Sequence, residues 1–546
     1  MPTPHRSETQ PASHASRQLQ PWMLLLLPLL FLTLFYFYPL AAIFRVSFAE
    51  NDASSVLPRL LSAGTLRVLG FTFGQALLST ALTLLLGLPG AYVFAHYDFP
   101  GKGLLQALAT VPFVLPTVVV AAAFTALTGS QSELRYTLGA ILLAHIFYNV
   151  TVILRMVGGF WANLDPHLEQ AARTLGASPW RAFREVTLPL LAPALGAAAM
   201  LVFIFCFTSF GVILILGGPR FATLEVEIYR QTINFANLPL AAALSLLQIG
   251  ITLVFTLIYT HLQTGLARPL ELRPQWATQH RPRRPSEIAT VAATVFLLGL
   301  LLIAPLLTLS ARSFDGGLHY YTALFENPRR SIFYVPPVMA IWNSVRFALA
   351  TMALALFLGL LTSLALLRQR LAPGGWVLDA LFMLPLGTSA VTLGLGYLIS
   401  MGRPPLALRG TPFLIICGHT LVALPFVVRS LLPALQSIRP ALREAAATLG
   451  APPHHVFREV DLPIIRRALA VGGVFAFTVS MGEFGATSMI ARPELPTLPI
   501  AIYRFLSLPG ALNYGQALAM STILMAVCVV GFVAMERFRP PGMQTF

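Results

Sequence analysis

The chain has 546 residues, of which 56% are hydrophobic and 10% charged, and its net charge is +15. Soluble proteins carry roughly 25% charged residues, so this composition excludes a soluble enzyme, and so much apolar side chain excludes a disordered one. The basic residues, lysine only at Lys102, fall in short loops between apolar runs, a pattern of membrane topology and not of nucleic-acid binding.

Residues 1–21, rich in Ser, His, Gln and Pro, read as a disordered cytoplasmic tail. Arg6 and Arg17 ahead of an apolar run imitate a secretory signal. The run from Trp22 to Phe44 is too long for a signal core of roughly 7–15 residues, so an uncleaved first helix is expected. A spanning helix needs about 20 mostly apolar residues. Twelve such runs follow in order, near 22–44, 68–95, 104–128, 137–160, 190–217, 239–262, 287–310, 341–368, 376–400, 411–435, 464–490 and 512–535. The fold expected is therefore an all-α integral membrane protein. Arginine bias sets its orientation. Arg268, Arg273, Arg281, Arg283 and Arg284 follow the sixth run, Arg173, Arg181 and Arg184 the fourth, Arg443 and Arg458 the tenth, and Arg537 and Arg539 close the chain. Both termini are then cytoplasmic. The opposite loops include Glu225, Glu227, Asp315 and Glu494, with Arg403 and Arg409 as exceptions. Cys206, Cys417 and Cys528 each lie inside an apolar run and form neither a disulfide framework nor a metal-ligand spacing.

The segment LEQAARTLGASPWRAFREVTLPL from Leu168 returns as LREAAATLGAPPHHVFREVDLPI from Leu442, identical at 14 of 23 positions. The offset, 442 − 168 = 274, also pairs His145 with His419, Arg155 with Arg429, Phe210-Gly211 with Phe484-Gly485, and Tyr229-Arg230 with Tyr503-Arg504. The chain is a duplicate of two six-helix halves, 22–262 and 287–546, joined by a Pro- and Arg-rich cytoplasmic linker, 263–286. Two halves running in the same direction imply a pseudo-two-fold axis along the membrane normal. In the repeated segment, Leu168, Ala171, Ala172 and Leu175 are spaced for one face of a short amphipathic helix. Gly176 permits a sharp break. Ser178-Pro179 suits the cap and first turn of a second short helix, and Pro452-Pro453 keeps only the proline. Leu188-Pro189 and Leu462-Pro463 lead back into the membrane. A single such segment could rest on lipid headgroups; two at a fixed offset point to docking knobs for another protein.

The spacing Glu-Ala-Ala, three residues, Gly, nine residues, an aliphatic, any residue, Leu-Pro resembles the cytoplasmic motif of binding-protein-dependent ABC importer permeases. Glu444, Ala445, Ala446, Gly450, Val460, Leu462 and Pro463 match throughout. The first copy, Ala171, Ala172, Gly176, Leu188 and Pro189, departs at Gln170, where Glu169 is displaced by one position. The resemblance implies two type I importer permease repeats in a bacterial inner membrane. It implies two ATPase subunits gripping residues 168–189 and 442–463, and an extracytoplasmic binding protein delivering solute. The fused halves, Gly217-Gly218-Pro219 and the Ile-Tyr pairs at 228–229 and 502–503 resemble the iron(III) and thiamine uptake permeases, with a slight lean to thiamine.

The chain has no phosphate-binding loop, since Gly101-Lys102 is followed by Gly103. ATP is expected on partner subunits, and no cofactor, metal site or catalytic group is expected on this chain. His454-His455 lack a third ligand. Glu483 is an ionisable group inside a span, and its repeat partner is Ser209. Together they could line the translocation path, with Glu483 attracting a cation, or Glu483 could pair with Arg504. Interhelical hydrogen bonding is expected of His145, Asn149 and His419, and snorkelling of Arg155 and Arg429. An ion-coupled secondary transporter also has two six-helix halves, but it would need no paired docking loops and would use more buried relay groups.

Overall fold

The computed structural model describes residues 21–49, 58, 60–129, 136–264, 279–326, 335–369, 375–402, 404 and 406–538. The tail 1–20, Arg403, most of the linker with Arg268 and Arg273, and Arg539 lie outside the described residues.

The first half contains α1 (Met23–Phe48), α2 (Ala63–His96), α3 (Lys102–Val114), α4 (Thr117–Thr128) and α5 (Leu138–Ala162). It continues with α6 (Pro166–Thr174), α7 (Pro179–Phe207), α8 (Gly211–Leu216), α9 (Leu224–Tyr229) and α10 (Leu238–Gln263). The second repeats the series as α11 (Pro285–Ser313), α12 (Pro337–Leu367), α13 (Val377–Gly387), α14 (Ala390–Ser400) and α15 (Pro412–Gln436). Then come α16 (Pro440–Thr448), α17 (Pro453–Gly482), α18 (Gly485–Ile490), α19 (Leu498–Ser507) and α20 (Ala511–Phe538). Helix n + 10 is thus the counterpart of helix n. The offset is 274 from α2 onward, whereas the whole helical stretch containing α1, Pro21 to Ala49, is shifted by 285 − 21 = 264 from α11, so the second half holds ten extra residues after its first helix.

Among the described residues ten helices are long and apolar enough to cross a membrane, and the pairs α3–α4 and α13–α14 raise the total to twelve. Those two pairs correct the expected straight runs 104–128 and 376–400: they bend by 107° and 93°. Leu115 is extended ahead of Pro116, as a residue before proline prefers. In the other pair Ser389 breaks the helix and recaps it, accepting from the backbone N–H of Val391 and Thr392. Elsewhere in the spans, Thr72, Thr83, Thr125, Thr252, Thr362 and Ser521 return their hydroxyls to the carbonyl four residues back, which satisfies them without water. Leu26, Leu85, Phe296 and Val530 are 66 to 69% exposed; such a belt is stable only in lipid, and the chain is a multi-pass membrane protein.

The first helix of each half reaches across onto the other half, while α1 also packs on α10 and α11 on α20 within their own halves. Helix α1 packs on α12 and α14, with Tyr36 Oη 2.7 Å from Thr388 Oγ1 and Tyr397 Oη donating to the Phe35 carbonyl at 2.8 Å. Helix α11 packs on α2, α3 and α4. Glu225, placed by the arginine bias in an outer loop, is buried on α9 and accepts from Ser389 of the other half at 2.7 Å and from Gln248.

Candidate functional site

Each half presents the repeated segment as a projecting knob. Asp165 caps α6 by accepting from the His167 N–H at 3.0 Å, and proline opens both α6 and α16. Both helices end alike. Gly176 N donates to the Arg173 carbonyl and Ala177 N to that of Ala172; Gly450 and Ala451 do the same to Ala447 and Ala446. This double bond needs a left-handed residue at the glycine, and φ is +91° at Gly176 and +83° at Gly450. Ser178 then accepts from the Arg181 N–H at 3.3 Å, while Pro452 makes no side-chain cap.

The two-helix expectation needs one correction. The second short helix is continuous with the following span, through a wide π turn at Phe183–Thr187 in α7 and at Phe457–Asp461 in α17. Leu188-Pro189 and Leu462-Pro463 follow these turns directly. A proline has no N–H to give the preceding turn, and the widened turn accommodates it. Each knob is therefore stiffly joined to a membrane helix.

A brace strengthens that joint at equivalent positions with different chemistry. In the first half Thr187 Oγ1 donates to Glu169 at 3.0 Å; in the second, Arg443 Nε donates to Asp461 Oδ1 at 2.8 Å. The knob tips are apolar and exposed. Leu175 and Leu449 are each 89% exposed, and Trp180 is 70% exposed. Gln170, Glu444, Ala171 and Ala445 are exposed, and Ala172 and Ala446 half-buried beneath them.

Ser209 and Glu483 end α7 and α17 at the far end from the knobs, and both are buried. Each turns into its own half, toward a histidine. His145 joins Ser79 Oγ at 3.0 Å and Ser209 Oγ at 2.9 Å. His419 joins Ser480 Oγ at 2.7 Å and Thr487 Oγ1 at 2.8 Å, and lies 3.3 Å from the Glu483 carboxylate. That carboxylate also caps α18, accepting from the backbone N–H of Ala486 and Thr487. Its partner is thus His419, and Arg504 is exposed. Asn149 adds a bond to the His145 carbonyl. Arg155 donates to Thr110 Oγ1, and Arg429 lies 3.8 Å from Asp379.

The residues that meet on the pseudo-two-fold axis are the next ones along, and sequence reasoning passed over them. Phe210 and Phe484 stack with ring centroids 5.3 Å apart. Tyr229 stands 5.4 Å from Phe210, and Tyr503 5.5 Å from Phe484. The two tyrosine side chains also interact with each other. Gly211 and Gly485 make room behind the stack: a Cβ at 211 would overlap Thr117, and one at 485 would lie 2.9 Å from Ala390. The signal available in the sequence was the pairing Phe-Gly and Ile-Tyr-Arg at offset 274. The four rings meet between the halves and present π faces and no charge there.

Residues 84–268 match the family described as binding-protein-dependent transport system inner membrane component. The chain is 28% identical over 496 residues to the thiamine transport system permease protein ThiP of Escherichia coli (strain K12), covering 87% of this chain and 89% of that protein. It is 29% identical over 497 residues to the protein of the same name from Brucella abortus (strain 2308), covering 86% and 87%. It is 26% identical over 533 residues to the probable ABC transporter permease protein y4fN of Sinorhizobium fredii, covering 91% and 92%.

Proposed function

We propose that this chain, which belongs to the fused binding-protein-dependent inner-membrane permeases, is the solute-conducting subunit of a thiamine importer powered by separate ATPase subunits. One observation carries the coupling half of this reading: two knobs at a constant offset, each ending in an exposed leucine and each stiffly joined to a membrane helix. Two ATPase subunits grip the knobs, one each, from the cytoplasm, and ATP is bound and hydrolysed on those subunits. Both termini of the chain are cytoplasmic in this arrangement. A binding protein delivers solute to the opposite face.

Closure of the ATPase pair draws the knobs together. The π turns and braces pass that motion to α7 and α17, whose far ends carry Ser209-Phe210 and Glu483-Phe484. Separation of the Phe210–Phe484 stack opens the axis. The ATPases bias this equilibrium through the different contacts they make in the two states. Thiamine is favoured over ferric iron by two observations. Two of the three named relatives are called thiamine transport system permease proteins, and four aromatic faces suit a cationic heteroaromatic solute better than a hard metal ion, which seeks oxygen ligands. The buried Glu483 carboxylate, held by His419 and the α18 cap, keeps the four rings placed and does not itself meet the solute.

The test is reconstitution of the purified chain with its ATPase subunits in proteoliposomes containing ATP. Thiamine uptake that needs both the binding protein and ATP is the expected result. Uptake driven by an ion gradient without ATPase subunits would overturn the importer reading, and uptake of ferric iron in place of thiamine would overturn the substrate.

A further inference from the structure

Arg409 defies the charge bias of the loops. It stands directly before α15, whose other end leads to the second knob, and a helix of 25 residues at about 1.5 Å per residue separates the two. Arginine so far from the knob face needs a reason other than topology. Arg492, just past the end of α18, lies beside it and donates from Nη2 to the Arg409 carbonyl at 3.3 Å. Together with Gly402, Gly410, Met489 and Pro493 they line a concavity of 460 Å³. Position 410 is built for the pair: φ is +76°, and a Cβ there would overlap the Arg492 guanidinium. Both arginines are exposed. Among the described residues neither meets a carboxylate within ion-pair distance. Two neighbouring cations of like sign disfavour one another until an anion sits between them.

We propose that this concavity is a socket for a surface carboxylate of the solute-delivering binding protein, and that it fixes the orientation in which that protein docks. The socket rests on the importer reading above. The planar guanidinium fork matches a carboxylate in two parallel bonds. Location favours a delivering protein over a lipid headgroup. Helix α18 starts at the axial Phe484 and ends at the socket six residues later, about 9 Å along a helix, so an occupant stands at the mouth of the closed path. The first half has Gly218 where Arg492 stands, since 492 − 274 = 218. The arginine pair is therefore not repeated at equivalent positions: beside Gly218 the first half instead has Arg230 donating to the Gly218 carbonyl at 2.7 Å, and the unlike sides of the face favour one orientation.

The experiment titrates the purified binding protein onto the full chain with its ATPase subunits in lipid nanodiscs, over a series of salt concentrations. Arg409→Glu/Arg492→Glu should weaken binding at low salt by about tenfold or more and flatten its salt dependence. Replacing the matching acidic residue of the binding protein by arginine should restore both. Arg492→Gln, which only neutralises, should give a smaller change in the same direction and serves if the double variant is not monodisperse. Affinity and salt slope within twofold of the unaltered complex would overturn the socket while leaving the importer intact. A loss that no acid-to-arginine change rescues, accompanied by loss of co-purified anionic lipid, would assign the pair to lipid headgroups instead. Absence of binding by the unaltered complex at every salt concentration would overturn the importer reading and the socket with it.

Discussion

Truncating the knob tips separates docking from folding. Leu175 and Leu449 are 89% exposed, so Leu175→Ala and Leu449→Ala remove almost nothing from the core of the free chain, and surface changes of that kind fall within about 0.5 kcal/mol of neutral. If each leucine is buried on docking, alanine deletes three carbons at about 0.8 kcal/mol each. The sum, about 2.4 kcal/mol, corresponds to roughly a fifty-fold loss of affinity at that knob, since about 1.4 kcal/mol is tenfold. The knobs share no partner residue, so the two losses should add in the double variant. The assay is titration of purified ATPase subunit onto the chain in nanodiscs, with the melting temperature of the chain alone as control. An unchanged melting temperature with weakened docking is expected. Docking within threefold of the unaltered chain in the double variant would refute the assignment of the tips as contact surface.

The helix ends, the braces and the axial rings are each open to a similar check. Gly450→Ala forces a left-handed backbone at φ +83° on a residue that disfavours it by about 1–2 kcal/mol, and Gly450→Pro also deletes the N–H that bonds Ala447. Binding-protein-stimulated ATPase activity should fall in that order while membrane insertion persists, and full stimulation in the proline variant would be decisive against a coupling role. A double-mutant cycle across Arg443 and Asp461 should return about 1 kcal/mol that shrinks at high salt, whereas the Glu169–Thr187 cycle should be nearly salt-independent; equal salt responses would contradict the difference in chemistry. Phe210→Ala/Phe484→Ala should make proteoliposomes leak thiamine without ATP, and liposomes as tight as those with the unaltered chain would place the closure elsewhere.

The knobs were legible in the sequence because local chemistry makes them. A glycine that must be left-handed and a proline that opens a helix act within five residues of where they stand, and the repeat at 274 shows both twice. The bends at Leu115-Pro116 and Thr388-Ser389 were hidden for the opposite reason. An apolar window averages across a break, and Ser389 is an ordinary polar residue until its side chain is seen to cap α14. Glu225 read as a loop acid because hydropathy cannot tell an exposed carboxylate from one held by Gln248 and Ser389. The crossing of the first helices has no local signal at all. Nothing in the run 22–44 says that its small and aromatic residues fit the opposite half.

That crossing bears on how the motion divides. With α1 packed on α12 and α14 as well as on α10 of its own half, and α11 on α2, α3 and α4 as well as on α20, each first helix ties the two halves together. In the proposed cycle a moving body therefore carries parts of both halves. The surface along which such bodies slide is the one where equivalent residues meet themselves across the axis. There the repeat keeps like opposite like, phenylalanine on phenylalanine and tyrosine beside tyrosine, because a residue on a two-fold axis contacts its own counterpart. Away from the axis each copy answers only to its own half, and the chemistry has diverged: Ser209 against Glu483 beneath the same histidine, Glu169–Thr187 against Arg443–Asp461 in the same brace. If the proposed path is closed by these identical groups and driven through these unlike struts, it opens symmetrically at its centre while its two knobs respond differently to salt, and that difference makes the fused chain testable one half at a time.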